Sequence, residues 1–212
     1  MAGAIVIGAG PGIGAAVVRR AAREGMPVAA IARARATLDR ALAAVDGSHL
    51  GLTADVTDET GITAALDAAI DAYGVPELLV YNAARIQSDP VGALGARGHL
   101  DAYAVNVVGA ITAVTHVAPR MADQGRGTII LTGGMPEAVP VATSLSVTKA
   151  ALRALTHLLA KEYGPAGIHV ATVTVAGTVA PGTAYDPDDI AERYWQLHSQ
   201  PREAWEREVV HG

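Results

Sequence analysis

Hydrophobic and polar positions divide the chain into short apolar runs separated by longer stretches of helical period. Six runs stand out: Ala4 to Gly8, Val28 to Ala32, His49 to Ala54, Leu78 to Asn82, Thr128 to Thr132 and Val170 to Ala176. Between them, helical segments are expected over roughly Gly12 to Glu24, Ala36 to Val45, Asp58 to Tyr73, His99 to Gln124 and Ser144 to Tyr163. Near-continuous apolar strands alternating with helices predict βαβ units and a parallel sheet buried on both faces. Connections such as Gly25-Met26-Pro27, Gly74-Val75-Pro76 and Gly164-Pro165-Ala166-Gly167 are short and rich in helix terminators. Right-handed crossovers then give an open, doubly wound α/β sheet of the Rossmann type, with its ligand site at the carboxyl ends of the strands. No linker, repeat or low-complexity tract divides the chain, so residues 1–212 are expected to form a single domain.

After Ala176 the alternation stops. Asp186-Pro187-Asp188-Asp189 is a helix start, with Pro in the first turn and acids at the positive end of the dipole, and the helix is expected to reach His198. The last segment, Pro201 to Gly212, carries Trp205 and the pair Val209-Val210, and is expected to add a short edge strand or a docking tail.

Composition narrows the function classes. Half the residues are hydrophobic, 17% are charged and the net charge is -5, which excludes a disordered chain and a basic nucleic-acid surface. Cys is absent, excluding disulfides, thiolate catalysis and Cys-ligated metals and fitting a reducing, cytoplasmic setting. Phe is absent too, so the core must be built from Ala, Val, Leu and Ile. Gly, Pro or charge breaks the apolar runs well short of the roughly 20 residues a membrane helix needs. Met1-Ala2-Gly3 runs into the first strand without a basic stretch, so no signal peptide is expected. The seven histidines lack metal-ligand spacing and are expected at the surface or at helix caps, with no metal site.

The first chemical signal is Gly8-Ala9-Gly10-Pro11-Gly12-Ile13-Gly14, set between the first strand and the first helix. Gly8 allows the tight turn, Gly12 lets backbone approach a phosphate, and Gly14 lets helix pack closely on sheet. With Gly10 and Ile13 these residues form a candidate dinucleotide-binding turn of spacing Gly-x-x-x-Gly-x-Gly, at a helix N-terminus that offers free N–H donors. At the end of the second strand, where a carboxylate would accept a ribose 2′-hydroxyl, the chain has Arg33 and then Arg35. A guanidinium pairs with a 2′-phosphate, so NADP(H) is favoured over NAD(H); solvated loop arginines are the alternative.

With these residues in place the chain resembles the short-chain dehydrogenase/reductase family over nearly its whole length. Asp55-Val56 resembles the family's Asp-Val pair near adenine, Asn82-Ala83-Ala84 its Asn-Ala-Gly element, and Asn106-Val107 its Asn-Val site. Ser146-Val147-Thr148-Lys149-Ala150-Ala151-Leu152 resembles its Ser-Ala-Ser-Lys-Ala-Ala-Leu stretch, and Gly177 its Pro-Gly after the sixth strand. The resemblance implies that Asn82, Ala83, Asp55, Val56, Gly177 and Val179 flank the nucleotide, with Val179 backbone at the nicotinamide carboxamide. It implies that Lys149 holds the ribose and that Asn106 supports a water leading to it.

The family's Tyr, the general acid, stands four residues before this Lys. Here that position is Leu145, which has no proton to transfer. The family's Ser falls on Thr132 by spacing from Leu145, or on Gly134 by alignment of the fifth strand. Lys149 and Lys161 are the only lysines beside 14 arginines, so Lys149 heads the candidate catalytic residues, with Asn106 and Thr132. Tyr81 and Tyr103 are conceivable substitute acids, although core packing also accounts for them. The family's helical lid is replaced by the short stretch Gly177 to Tyr185. The implied function is an NADP(H)-dependent oxidoreductase of carbonyls or alcohols with a non-standard site; the alternatives are a degenerate nucleotide-binding sensor or scaffold and a non-redox enzyme in the same cleft. A small-molecule substrate and a homodimer or homotetramer are the implied partners, with no nucleic acid or membrane.

Overall fold

The computed structural model describes residues 3–212; Met1 and Ala2, read above for a targeting leader, lie outside the described residues. Seven strands form: β1 (Ala4–Ile7), β2 (Val28–Ala32), β3 (His49–Thr53), β4 (Leu78–Tyr81), β5 (Gly127–Thr132), β6 (Ile168–Val175) and β7 (Glu208–His211). All pair in parallel, in the order β3-β2-β1-β4-β5-β6-β7. The tail therefore supplies a seventh, edge strand against β6.

The helices are α1 (Ile13–Arg23), α2 (Arg35–Leu42), α3 (Glu59–Tyr73), α4 (Ala96–Tyr103), α5 (Gly109–Gln124), α6 (Thr143–Tyr163) and α7 (Pro187–His198). Side chains alternate across each strand, so one sheet feeds two cores. Ala4, Val6, Val28, Ala30, Leu78, Val80 and Ile130 face α1, α2 and α7, whereas Ile5, Ile7, Ala29, Ile31, Leu79, Tyr81 and Leu131 face α3, α5 and α6. Small residues make close approach possible: Ala16 of α1 and Ala110, Ala113 and Ala118 of α5 are fully buried.

Several boundaries differ from expectation: α2 ends at Leu42 rather than Val45, and β6 begins at Ile168 rather than Val170. The helix expected from His99 begins at Ala96, and a single π-helical turn, Ala104–Val108, separates α4 from α5. The whole segment Ala96–Gln124 is long and apolar enough by composition to cross a membrane, yet Ala110, Val114, Val117 and Met121 are packed fully against the sheet. Histidines also depart from the expected surface positions: His169 and His211 are buried. His169 stacks on Trp205 with ring centroids 4.9 Å apart and hydrogen-bonds the Leu197 and Glu206 carbonyls, so it joins the tail to the sheet. The strand order reverses between β1 and β4, which places the Gly8 and Asn82 turns side by side where an open α/β sheet forms its ligand crevice.

Candidate nucleotide-binding and active site

The glycine run divides into two kinds of position. Gly8 sits at φ 85°, and a Cβ there would lie 2.4 Å from the Ala83 nitrogen. A Cβ at Gly14 would lie 2.2 Å from the Gly8 oxygen, so both residues serve the packing of the turn. Gly10 and Gly12 are different. A Cβ at Gly10 would meet nothing within 4 Å, and one at Gly12 only Val179 Cγ1 at 3.8 Å. α1 starts at Ile13 with Gly12 as its N-cap and no capping side chain, so among the described residues its Ile13 and Gly14 N–H groups have no partner, beside the open space over Gly10 and Gly12. This cradle fits the phosphates of a dinucleotide, with Val179 opposite the turn.

At the end of β2, Arg33 is exposed and has no ion-pair partner among the described residues, whereas Arg35 is engaged by Asp39 at 3.0 Å and by the Gly51 carbonyl at 3.3 Å. Asp55 accepts from the Thr57 N–H at 2.9 Å and the Thr57 hydroxyl at 2.8 Å. The Thr57 N–H is the main cause that holds its carboxyl below the usual range, with Arg33 adding to the effect. Val56 is buried beside Gly109, where a Cβ would lie 2.9 Å from Val56 Cβ and 2.4 Å from the Tyr81 hydroxyl. Asn82 donates from Nδ2 to the Gly8 carbonyl at 2.8 Å, bracing the glycine turn from the neighbouring strand.

On the other side of the crevice, α6 carries Lys149. Its side chain is 5% exposed, and Nζ donates to the Thr132 carbonyl at 2.5 Å. No carboxylate pairs with it among the described residues, and burial pushes the amine down from 10.5 to about 8. Leu145, one turn earlier, is buried, and a Cβ at Gly134 would come within 3.7 Å of Lys149 Cε. Thr132 thus meets Lys149 through its backbone. Its side chain shares the face of Ile130, pointing toward α7, and its hydroxyl lies 2.6 Å from Tyr194 OH and 2.9 Å from Asn82 Oδ1.

Asn106 lies in the π-helical turn and is fully buried. Its Oδ1 accepts from the Arg85 N–H at 2.6 Å, and its Nδ2 donates to the Thr148 hydroxyl at 2.8 Å and the Arg85 carbonyl at 3.3 Å. It ties the loop after β4 to α6, and both hydrogen-bonding atoms of its amide are used. The serines beside Leu145 are engaged as well. The Ser144 N–H donates to buried Asp89 at 2.8 Å, which caps α6 from a distant loop, and Ser146 Oγ accepts from the Val139 N–H at 3.0 Å. Tyr81 is buried, donates to the Val105 carbonyl at 2.5 Å, and has its pKa raised by burial and by Asp55. Tyr103 is 41% exposed.

The loop after β5 is gripped by Arg153, whose Nη1 donates to the Gly134 and Met135 carbonyls at 3.0 and 3.2 Å. Met135 takes the left-handed conformation at φ 50°. After β6, Gly177 packs so closely on the Tyr185 ring that a Cβ would lie 2.2 Å from it, and His211 Nε2 donates to the Ala184 carbonyl at 2.9 Å. The short Gly177–Tyr185 stretch is therefore pinned by the end of β7. Among the described residues no group of three His, Asp or Glu is placed to hold a metal.

Residues 2–190 match the family described as short chain dehydrogenase. The chain belongs to the short-chain dehydrogenase family. Among its relatives, the short-chain reductase protein NovJ of Streptomyces niveus is 32% identical over 197 residues, covering 90% of this chain and 72% of NovJ. A short-chain dehydrogenase from Rhodopseudomonas palustris superposes with a TM-score of 0.89 at 28% identity, covering 99% of this chain and 97% of that one. A metagenomic short-chain oxidoreductase in complex with NADP gives 0.87 at 27% identity, covering 99% and 96%. This is an oxidoreductase family, on a fold that binds nicotinamide cofactors.

Within this short-chain dehydrogenase, the structure brings Gly8, Gly10, Gly12, Ile13, Gly14, Asn82 and Ala83 together, with Val179 across the glycine turn. Arg33 and Asp55 stand at the β2–β3 side, and Lys149 with Thr132 at the β5 side. The sequence alone does not mark Tyr194, Arg153 or Asp89 as site residues. Arg153 carried a usable signal, standing four residues after Lys149 on one helix face.

Proposed function

We propose that this short-chain dehydrogenase is an NADP(H)-dependent oxidoreductase of carbonyls or alcohols whose site departs from the family's at Leu145. The Ile13 and Gly14 N–H groups at the start of α1 would hold the pyrophosphate, since those of Gly8, Ala9 and Gly10 donate within the turn and to β2; Arg33 would hold a 2′-phosphate, Asp55 and Val56 the adenine side, and Val179 the carboxamide end. The nucleotide supplies or accepts hydride when bound. The chain must manage a proton at the substrate oxygen, and Lys149 carries that role directly or through a water it orients. The observation that carries this reading is the placement of Lys149: buried, paired with no carboxylate among the described residues, and pushed down to about 8 by desolvation, so that it holds a proton at neutral pH and can release it. Asn106 stiffens the wall beside it through Thr148.

A second reading is favoured by Leu145 and Gly134, which put no transferable proton at two positions flanking Lys149: a nucleotide-binding protein without redox chemistry. Fluorescence titration with NADPH and NADH, followed by absorbance loss with a carbonyl panel, separates the two. Oxidoreductase activity predicts tighter NADPH binding and turnover of at least one carbonyl, with a gain in Leu145→Tyr. Binding without turnover in either form supports the second reading. The exposed apolar residues Tyr103, Val108, Ile111 and Leu158 on α4 to α6 support assembly as a homodimer or homotetramer, which light scattering in solution tests.

A further inference from the structure

From the direction of a chain of buried hydrogen bonds, we infer that Tyr194 of α7 is a positioning residue for the glycine turn and for Lys149, acting through Thr132 and Asn82. The direction follows from donor and acceptor capacity. Asn82 Nδ2 donates to the Gly8 carbonyl at 2.8 Å, which turns its Oδ1 toward Thr132. An amide oxygen only accepts, so the Thr132 hydroxyl spends its one proton on Asn82 Oδ1 at 2.9 Å. The contact at 2.6 Å between Thr132 and Tyr194 must then be donated by the Tyr194 hydroxyl. The sequence of donors runs one way, from Tyr194 to Thr132 to Asn82 to the Gly8 oxygen.

Both ends of the chain bear on the site. The Gly8 oxygen is the atom on which the first turn of α1 rests, since a Cβ at Gly14 would lie 2.2 Å from it, and it also accepts the Gly10 N–H at 2.8 Å. Moving it moves the cradle formed by Gly10 and Gly12. The carbonyl of Thr132 is the acceptor for Lys149 Nζ at 2.5 Å, so the residue that receives the Tyr194 proton also fixes the amine. Thr132 is 6% exposed and Tyr194 1%, so the contact is shielded from bulk water. Tyr194 stays protonated because burial raises its pKa. One strand end thus connects α7, outside the crevice, to both halves of the site.

The inference rests on the nucleotide reading only for its effect on affinity, and its test keeps the two apart. Tyr194→Phe retains the ring and removes the donor; Thr132→Val removes the hydroxyl at constant shape, and Thr132→Ser keeps it. Hydrogen exchange of the Gly8–Gly14 amides needs no ligand, and is expected to be about fivefold faster in Tyr194→Phe and Thr132→Val than in wild type and Thr132→Ser. NADPH affinity should fall by about fivefold in the same two variants, and the double variant should be no weaker than Thr132→Val alone. Unchanged exchange in the glycine turn overturns the inference, even if both variants melt earlier. So does an additive double variant. A wild-type protein that binds neither NADPH nor NADH removes the nucleotide reading and leaves the exchange comparison to decide the relay.

Discussion

Replacing Lys149 by Met tests the electrostatic account of the site through stability alone. Burial lowers the amine from 10.5 to about 8, and at about 1.4 kcal/mol per pH unit that gap corresponds to about 3 kcal/mol of strain carried by the charged form in the folded state. Because the folded value is the lower one, the unfolded chain binds more protons between pH 8 and 10.5, and wild-type stability rises with pH through that window. Below pH 8 the cost is present in full. Met removes the charge and keeps the stem volume, while the Thr132 carbonyl loses its donor, which subtracts about 1–3 kcal/mol at every pH. The pH dependence of the difference is therefore the diagnostic. Urea unfolding of both proteins from pH 6.5 to 11 should show the stability of Lys149→Met relative to wild type falling by about 3 kcal/mol, nearly all between pH 8 and 10.5. A difference that stays flat across this range would falsify the desolvated amine and, with it, the proton role assigned to Lys149.

Gly10→Ala should fold with a melting temperature within about 2 °C of wild type, because its Cβ meets nothing within 4 Å, yet bind NADPH at least about tenfold more weakly; Gly14→Ala should lose both fold stability and binding. Equal effects from the two in thermal melts and fluorescence titrations would contradict the division of the glycine turn. Arg33→Ala should weaken NADPH by about tenfold or more and leave NADH within about twofold, as measured by calorimetric titration. Asn106→Leu leaves the Arg85 N–H and carbonyl without their side-chain partner, while the Thr148 hydroxyl keeps its bond to the Ser144 carbonyl, and should cost about 3 kcal/mol in urea unfolding, a loss refuted by a midpoint near wild type.

The sheet was legible because parallel strands buried on both faces appear as apolar runs, and β1, β2 and β4 coincide with those runs to within a residue. β7 was harder to define because Glu208–His211 is short and half exposed on the sheet edge. The glycine turn declared itself by composition, and the structure adds which glycines serve packing and which leave open space. Thr132 shows where linear reading fails. Counting residues places it at a catalytic position, but strand alternation puts Leu131 on the α6 side and turns the Thr132 hydroxyl to Tyr194, 62 residues away in sequence. Asp89 capping α6 is likewise a contact between segments that share no local pattern, whereas Arg153 could be placed beside Lys149 by helix spacing but not matched to the Gly134 carbonyl.

The most direct test of the central claim is deuterium transfer from C4-deuterated NADPH into a panel of aldehydes and ketones, read by mass spectrometry for wild type and Lys149→Met. The account predicts a deuterated alcohol from at least one carbonyl with the wild-type protein, and a rate lower by about a hundredfold or more in Lys149→Met. Tight NADPH binding with no deuterium in any product, or equal transfer by both proteins, would contradict it.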